Sequence, residues 1–595
     1  MCAHQKLVQN LAILLLLGTL LCHCGTPNGA ESSTKSGDVK KEREPETYPR
    51  RLLLGKNGEY TVEWRYTDDD VVFRVSVETS GWVGLGFSPR GGMEGADVVI
   101  GWVDNGKAFL TDRFAVGNQQ PALDTKQDYQ LLSGVEEDNK TILVFQRKLN
   151  TSDCEDVVLN SETIRLIWSY SDKDPDVDNG GPTYHGPDHR GTKSIILLDS
   201  DHSKTQVPAD AKKYEFCNNN VRPERQQQTL YWCTLFQFPK LQKRHHIIRF
   251  EPAVEPSSVG HIHHMLLFGC YSPLQDESLY SFSDICLKLP KDIQNCFSVM
   301  FSWAVGGEAF DFPDHVGYSI GGKGDPLFLR LEVHYDNPRL PADFKDSSGF
   351  RFYYTPNLRQ HNGGAFPVGM FPMWWHIIPP RQEKFKSRGW CLKECTQLYF
   401  PSDGINMFST FAHTHASGQA VRFRHFRNGT HLENFINDVH FDCDFQAIRH
   451  LKTEKTIMPG DTLHTECTFN TADRENVTYG GYGRTDEMCF SIVYYYPKID
   501  NFGDCFSVAQ PLAMLQRLGY NTSDLPLEMD QATTVNAFET FNWKDPNFIS
   551  EYTQALNDVS LYFRCDNQTR LEQLDPFADW KVPQYDYSDD EDTTC

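Results

Sequence analysis

His261-Ile-His-His-Met-Leu-Leu-Phe-Gly-Cys270 places three imidazoles within four positions and closes an apolar run on a cysteine. An apolar run of this length reads as a buried strand. Histidine is costly to bury without a partner and is the commonest metal ligand. One histidine on such a strand is usually a satisfied core residue. Adjacent histidines are harder to excuse, because neighbouring strand side chains point to opposite faces. By that rule His261 and His263 share a face and His264 looks away. Either the strand twists or bulges so that His263 and His264 converge, or one of the three is a bystander.

Two further stretches bear on this. In Leu331-Glu-Val-His-Tyr335, Leu331, Val333 and Tyr335 share one face, leaving Glu332 and His334 on the other. Phe411-Ala-His-Thr-His-Ala-Ser-Gly418 puts His413 and His415 on the same face of a strand, a spacing that suits two ligands of one metal. Asp486-Glu-Met-Cys-Phe490 adds Met488, which alone reads as core filler. Together they suggest more than one metal. Thioether sulfur favours Cu(I), and imidazole accepts both copper oxidation states. Zinc is the plainer metal, but the chain has no H-E-x-x-H motif.

The chain as a whole bounds the setting. Residues 1–25 read as a secretory signal peptide, with an apolar run from Leu11 to Leu21, and 26–47 as a polar leader. Of 17 cysteines, Cys2, Cys22 and Cys24 leave with the signal and 14 remain, an even number that suggests disulfides. Asn-x-Ser/Thr sequons at Asn139, Asn150, Asn428, Asn476, Asn521 and Asn567 fit a secreted or lumenal glycoprotein, with retention in the endoplasmic reticulum as the alternative. No later stretch is apolar enough to span a bilayer. A net charge of −23 argues against nucleic acid as a partner. Short alternating strands between Gly, Asn and Asp turns make the chain all-β. Residues 48–175 read as one sandwich and 176–213 as a linker whose His185 and His189 are solvated. Two more β blocks follow at 214–345 and 363–515, and 516–595 is an extension with an acidic, exposed tail. Tyr585 and Tyr587 in that tail are candidate sulfation sites.

The combined motifs are Tyr-Trp-Cys at 231, His-His-Met at 263, Leu-Glu-Val-His-Tyr at 331, His-Thr-His at 413 and Glu-Met-Cys at 487. With them the chain resembles the copper type II, ascorbate-dependent monooxygenases, and in particular the dopamine β-monooxygenase-like (DBH-like) proteins. Ser80-Gly-Trp-Val-Gly-Leu-Gly-Phe-Ser-Pro89 and Gly95-Ala-Asp-Val-Val99 resemble a DOMON domain. The resemblance implies a DOMON β-sandwich followed by two copper-monooxygenase β-sandwiches. It implies two copper ions, one held by His263, His264 and His334 to relay electrons, the other by His413, His415 and Met488 to activate O2. His261 becomes the bystander. Ascorbate is the implied electron donor, and Tyr231 and His413 match positions assigned catalytic roles. Leu230 stands where the family often has Thr. The resemblance also implies disulfides Cys154–Cys595, Cys233–Cys286, Cys270–Cys296, Cys391–Cys505, Cys395–Cys565 and Cys467–Cys489. Cys217 and Cys443 are left over. No cysteine lies between 506 and 564, where the dopamine enzyme carries its interchain pair, so a homo-oligomer would not be disulfide-linked there.

Phe490 and Ile492 stand where peptide-amidating relatives place Asn and Tyr, so a small aromatic, amine-like substrate is expected over a glycine-extended peptide. Two rivals come from other classes. Gly317-Tyr-Ser-Ile-Gly321 matches the hydrolase G-x-S-x-G elbow but lacks an alternating α/β context. A non-catalytic secreted scaffold would not need all six expected ligands.

Overall fold

Strand Tyr60–Tyr66 buries Tyr60, Val62 and Trp64 and leaves the residues between them half-exposed, the two-residue period of a strand with one face inward. Asn105-Gly106 joins strands Ala96–Asp104 and Lys107–Ala115, with φ of 49° and 76°. This is the two-residue turn whose twist matches that of the strands. Asn428-Gly429 does the same between Gly418–Arg427 and Thr430–Asp438. The computed structural model describes residues 47–176, 181–198, 207–223, 229–294, 296, 298–336, 344–500, 502–527, 529–565, 580–583 and 585.

Among the described residues the chain forms three successive β-sandwiches, each of two main sheets. The first pairs a five-stranded with a six-stranded sheet, the second a six-stranded with a five-stranded, and the third a seven-stranded with a four-stranded. In the second sandwich the five-stranded sheet runs Ser283–Ile285, Thr229–Gln237, Phe328–Asp336, Ile262–Cys270, Ser298–Ala304. In the third, Ile405–Thr414 and Cys489–Tyr496 are neighbours in the seven-stranded sheet. His264 and His334 thus lie on central strands paired on both sides, whereas His413 lies at the end of its strand, paired there with Phe490 alone.

Several stretches depart from the sequence reading. Arg190–Ile196, placed in the linker 176–213, is an antiparallel edge strand on Thr163–Tyr170. Of its residues only Ile195 is buried, so it carries little apolar signal. His189 stacks on Tyr170 at 4.4 Å, and His185 packs at a tilt against Tyr184 at 4.7 Å; neither is simply solvated. Gly349–Thr355, left between two blocks, pairs with two strands of the second sandwich. Residues after 515 are not a mere extension. Helices Gln531–Phe538 and Pro546–Asp558 place Phe538, Tyr552 and Ala555 in the third core, and Ser560–Arg564 adds a strand to its sheet. Tyr585 is not a free tail residue, since its hydroxyl meets Thr462 Oγ1 at 3.0 Å and its ring packs on Phe426. Tyr587 lies outside the described residues. Ser319 sits inside strand Val316–Ile320 and donates to Asp325 at 2.7 Å, which removes the strand–turn–helix that a hydrolase elbow requires.

The third sandwich has its own core and also sends Phe408, Phe411, Ile492 and Tyr494 into the core of the second. Phe310, 1% exposed, packs on Phe250 and Phe312 of the second and on Phe408 and Tyr494 of the third. Ser302 and Tyr494 hydroxyls meet across the same boundary at 2.8 Å. Five disulfides have both partners among the described residues: Cys233–Cys286, Cys270–Cys296, Cys391–Cys505, Cys395–Cys565 and Cys467–Cys489. They are consistent with an oxidising secretory compartment. Cys154 is also disulfide-bonded, and Cys595 lies outside the described residues. Cys217 and Cys443 are free thiols. No helix among the described residues is long and apolar enough to cross a membrane.

Because a shared aromatic cluster joins them, the second and third sandwiches should unfold in one calorimetric transition. Phe310→Ala should cost about 3–5 kcal/mol and split that transition in two. A single unshifted transition in the variant would show that the cluster does not couple the sandwiches.

Candidate active site

The first histidine set is made by an irregularity in one strand. Ile262 pairs with Tyr335 and His264 with His334, so His263 is an extra residue on its strand. Such a bulge re-aims a side chain that alternation would send to the other face. His263 Nδ1 and His264 Nδ1 thereby come within 3.1 Å of each other. His334 joins them, and one ligand atom from each of the three fits within 4.8 Å of the others. Thr229 Oγ1 meets His334 Nε2 at 2.6 Å, while His334 Nδ1 is buried without a hydrogen-bond partner. His261 stays outside the group, its ring against Phe344 at 5.2 Å.

The second set stands at the end of strand Ile405–Thr414. Gln446 Oε1 meets His413 Nδ1 at 2.8 Å, and the Asp486 carbonyl meets His415 Nδ1 at 3.1 Å. Both rings therefore turn Nε2 away from these partners, and His415 Nε2 is buried without one. Buried Glu487 braces the turn between them by accepting from His415 N at 3.0 Å, Ser417 N at 2.7 Å and Ser417 Oγ at 2.6 Å. Burial pushes its carboxyl up to about 7, against the pull of those donors. Met488 follows directly and is 5% exposed. The Cys467–Cys489 bridge begins one residue later.

The two sets lie against each other. Ring centroids of His264 and His413 are 5.3 Å apart, and those of His263 and His415 6.3 Å. Tyr231 stacks on His334 at 4.2 Å and donates its hydroxyl to the Tyr482 carbonyl of the third sandwich. A cavity of about 740 Å³ opens beside this cluster, with Tyr231, His264, His413, Met488, Phe490 and Ile492 in its wall. Gln446 reaches further than His413. Its backbone N–H donates to Val305 of the second sandwich at 3.0 Å. The segment before it, at Asp442, accepts from Ser194 of the first sandwich at 2.5 Å.

The donor set fits a soft or borderline metal. Burial and the neighbouring rings hold His264, His334 and His413 well below the ordinary imidazole value, and burial holds His263 at about 4 and His415 at about 3. Neutral imidazole is the form that ligates. The orphaned nitrogens are of different kinds, Nδ1 in the first set and Nε2 in the second. Three side chains that hold the histidines or their turn escape a sequence reading. Thr229 could have been suspected, because it lies on the same strand face as Tyr231. Gln446 lies in a loop 33 residues from His413 and leaves no local signal. Glu487 belongs to a quoted motif, but its role needs the turn at 415–417.

Partners of the second ring nitrogen typically govern ligand affinity by about 10–100-fold. Thr229→Val should weaken copper at the first set by about that factor and leave the second intact, and Gln446→Leu should do the reverse. Copper content after graded chelator dialysis reads both; equal losses at both sets would contradict this division.

The chain matches the copper type II ascorbate-dependent monooxygenase N-terminal domain over residues 214–342 and the C-terminal domain over 362–517. It matches the DOMON domain over 56–171. It is 39% identical to human DBH-like monooxygenase protein 1 over 542 residues, covering 88% of this chain and 87% of that protein. The chicken (Gallus gallus) DBH-like monooxygenase protein 1 is 36% identical over 88% of this chain and 87% of its own length. Human dopamine beta-hydroxylase is 36% identical over 76% of this chain and 73% of its own length. The family implies copper and ascorbate. With its histidine sets, its all-β sandwiches and these relatives together, the chain belongs to the copper type II ascorbate-dependent monooxygenase family, as a DBH-like enzyme with a DOMON domain.

Proposed function

We propose that this enzyme hydroxylates a C–H bond of a small, aromatic, amine-like molecule with O2, using two copper ions and ascorbate. The observation that carries the reading is the pair of orphaned nitrogens, His334 Nδ1 and His415 Nε2, beside an apolar cavity that reaches Met488. His263, His264 and His334 would hold the ion that relays electrons. His413, His415 and Met488 would hold the one at the cavity. Bound copper supplies one-electron chemistry and activation of O2. One oxygen atom enters the C–H bond and the other leaves as water. Two electrons and two protons balance the step, with two ascorbate molecules giving one electron each.

The protein's own contribution is placement and exclusion. Phe490 and Ile492 line the cavity next to His413 and Met488, and an apolar wall positions a substrate C–H while keeping water from the reaction. Tyr231 and His413 face the same space and are assigned to substrate contact. Those apolar residues favour an aromatic body over a peptide carboxylate, which would need buried donors there. Peptide-directed hydroxylation and a non-catalytic scaffold are the alternatives. The sequon residues Asn139, Asn150, Asn428, Asn476 and Asn521 are exposed and support a glycosylated, secreted or lumenal protein; Asn567 lies outside the described residues. A homo-oligomer without an interchain disulfide between 506 and 564 remains part of this reading.

Oxygen uptake with copper and ascorbate against a panel of arylalkylamines and peptidylglycines tests it. Amines should be turned over. Met488→Ala should lower kcat by at least about 100-fold, more than 2.7 kcal/mol of barrier, with His263, His264 and His334 still loaded. Turnover of peptidylglycines alone would support the peptide reading instead. Fewer than two coppers per chain after reconstitution would support the scaffold.

A further inference from the structure

The active-site cavity contains a carboxylate that oxygen chemistry does not require. Strand Phe328–Asp336 presents Arg330, Glu332 and His334 on one face, at intervals of about 7 Å. Arg330 and Glu332 both line the cavity. Glu332 is 9% exposed. Its cross-strand neighbours are Leu266 on one side and Cys233 on the other. Leu266 has no donor, and the Cys233 sulfur, 3.8 Å away, is tied in the bridge to Cys286. The nearest cation is Arg330, whose Nη2 stands 3.7 Å from Glu332 Oε2, beyond hydrogen-bonding length. That guanidinium lies over the Phe268 ring at 4.0 Å. The other arginine of the wall, Arg564, is engaged by Asp504 at 2.9 Å. The cavity that Glu332 lines also carries the apolar side chains of Leu266, Phe268, Ile285, Trp303, Phe490 and Ile492, with Tyr231 and Tyr482.

A buried carboxylate whose one charge partner stands beyond hydrogen-bonding length keeps acceptor capacity for a closer cation. Of the two carboxylates of the wall, Asp504 is paired with Arg564; Glu332, set among aromatic and aliphatic side chains, is the one placed to recognise a cation carried on an apolar body. We propose that Glu332 is the specificity-determining residue of this enzyme and holds the ammonium group of its substrate. This rests on the monooxygenase reading above. Glu332 lines the same cavity as His413 and Met488, so the charged nitrogen and the carbon to be oxidised are held in one space. The ammonium donates to Glu332 Oε1 or Oε2, and the aromatic body lies against Phe490 and Ile492.

The test compares 2-phenylethylamine with its neutral analogue 2-phenylethanol on the copper-loaded full chain, as wild type, Glu332→Gln and Glu332→Asp. Titration calorimetry reads binding, and oxygen uptake with product mass reads turnover. The wild type should prefer the amine by about 100-fold in Kd and in kcat/KM, the size expected when a buried charge pair loses one partner. Glu332→Gln should abolish that preference, mainly through KM, and Glu332→Asp should restore part of it. Full amine preference in Glu332→Gln, or none in the wild type, overturns the assignment. Glu332-dependent binding of the amine without any oxygen uptake supports the ammonium site and overturns the monooxygenase reading alone. Turnover of both compounds without discrimination supports the monooxygenase reading and overturns the ammonium site.

Discussion

One extra residue in one strand is the constraint on which the site depends. Between the pairs Ile262–Tyr335 and His264–His334 the chain inserts His263. Regular alternation would send His263 and His264 to opposite faces. The bulge brings their Nδ1 atoms to 3.1 Å, and His334, opposite His264, completes the group. A bulge on a free edge would shift easily. This one lies on a strand paired on both sides, with Phe328–Asp336 and with Ser298–Ala304, so its geometry is held by two ladders.

From that group the rest of the architecture extends outward. The second sandwich brings three imidazoles and the third brings two with Met488, and neither half forms the cavity alone. Their common aromatic core, centred on Phe310 and Tyr494, removes the freedom that two domains would otherwise have to drift apart. Gln446 adds a polar connection, since the residue that orients His413 also bonds the backbone of Val305. The DOMON sandwich touches the same segment through Ser194 and Asp442 and through Thr163 and Asp438, the latter at 2.5 Å. The first sandwich, which carries none of the assigned metal ligands, is therefore built against the loop that fixes one of them.

The parts legible in the sequence are those with short-range physical causes. Alternation in Tyr60–Tyr66, the Asn-Gly turns at 105 and 428, and the crowding of unlike donors at 261–264, 413–415 and 488 all announce themselves within a few residues. The parts that escape have their causes elsewhere. Arg190–Ile196 is a strand because Thr163–Tyr170 offers it an edge, not because its own residues are apolar. The helices after 530 are short and belong to the third sandwich through what they pack against. Tyr585 reads as an acidic-tail residue until Phe426 and Thr462 are found beside it. Alternation also misleads at the opening stretch, pairing His261 with His263, because a bulge is set by cross-strand register and leaves no mark in composition.

The sequence by itself determined the all-β class, a cysteine content that fits an oxidising compartment, and the chemical type of the candidate ligands. These follow from residue identity and local period, which every chain carries before it folds. Only the tertiary structure decided which nitrogen of His334, His413 and His415 is left without a protein partner, since that depends on Thr229, Gln446 and the Asp486 carbonyl arriving from distant strands and loops. It likewise decided that the two histidine sets touch and that Glu332 faces an apolar cavity. Long-range pairing and burial set these features, and no window of neighbouring residues contains them.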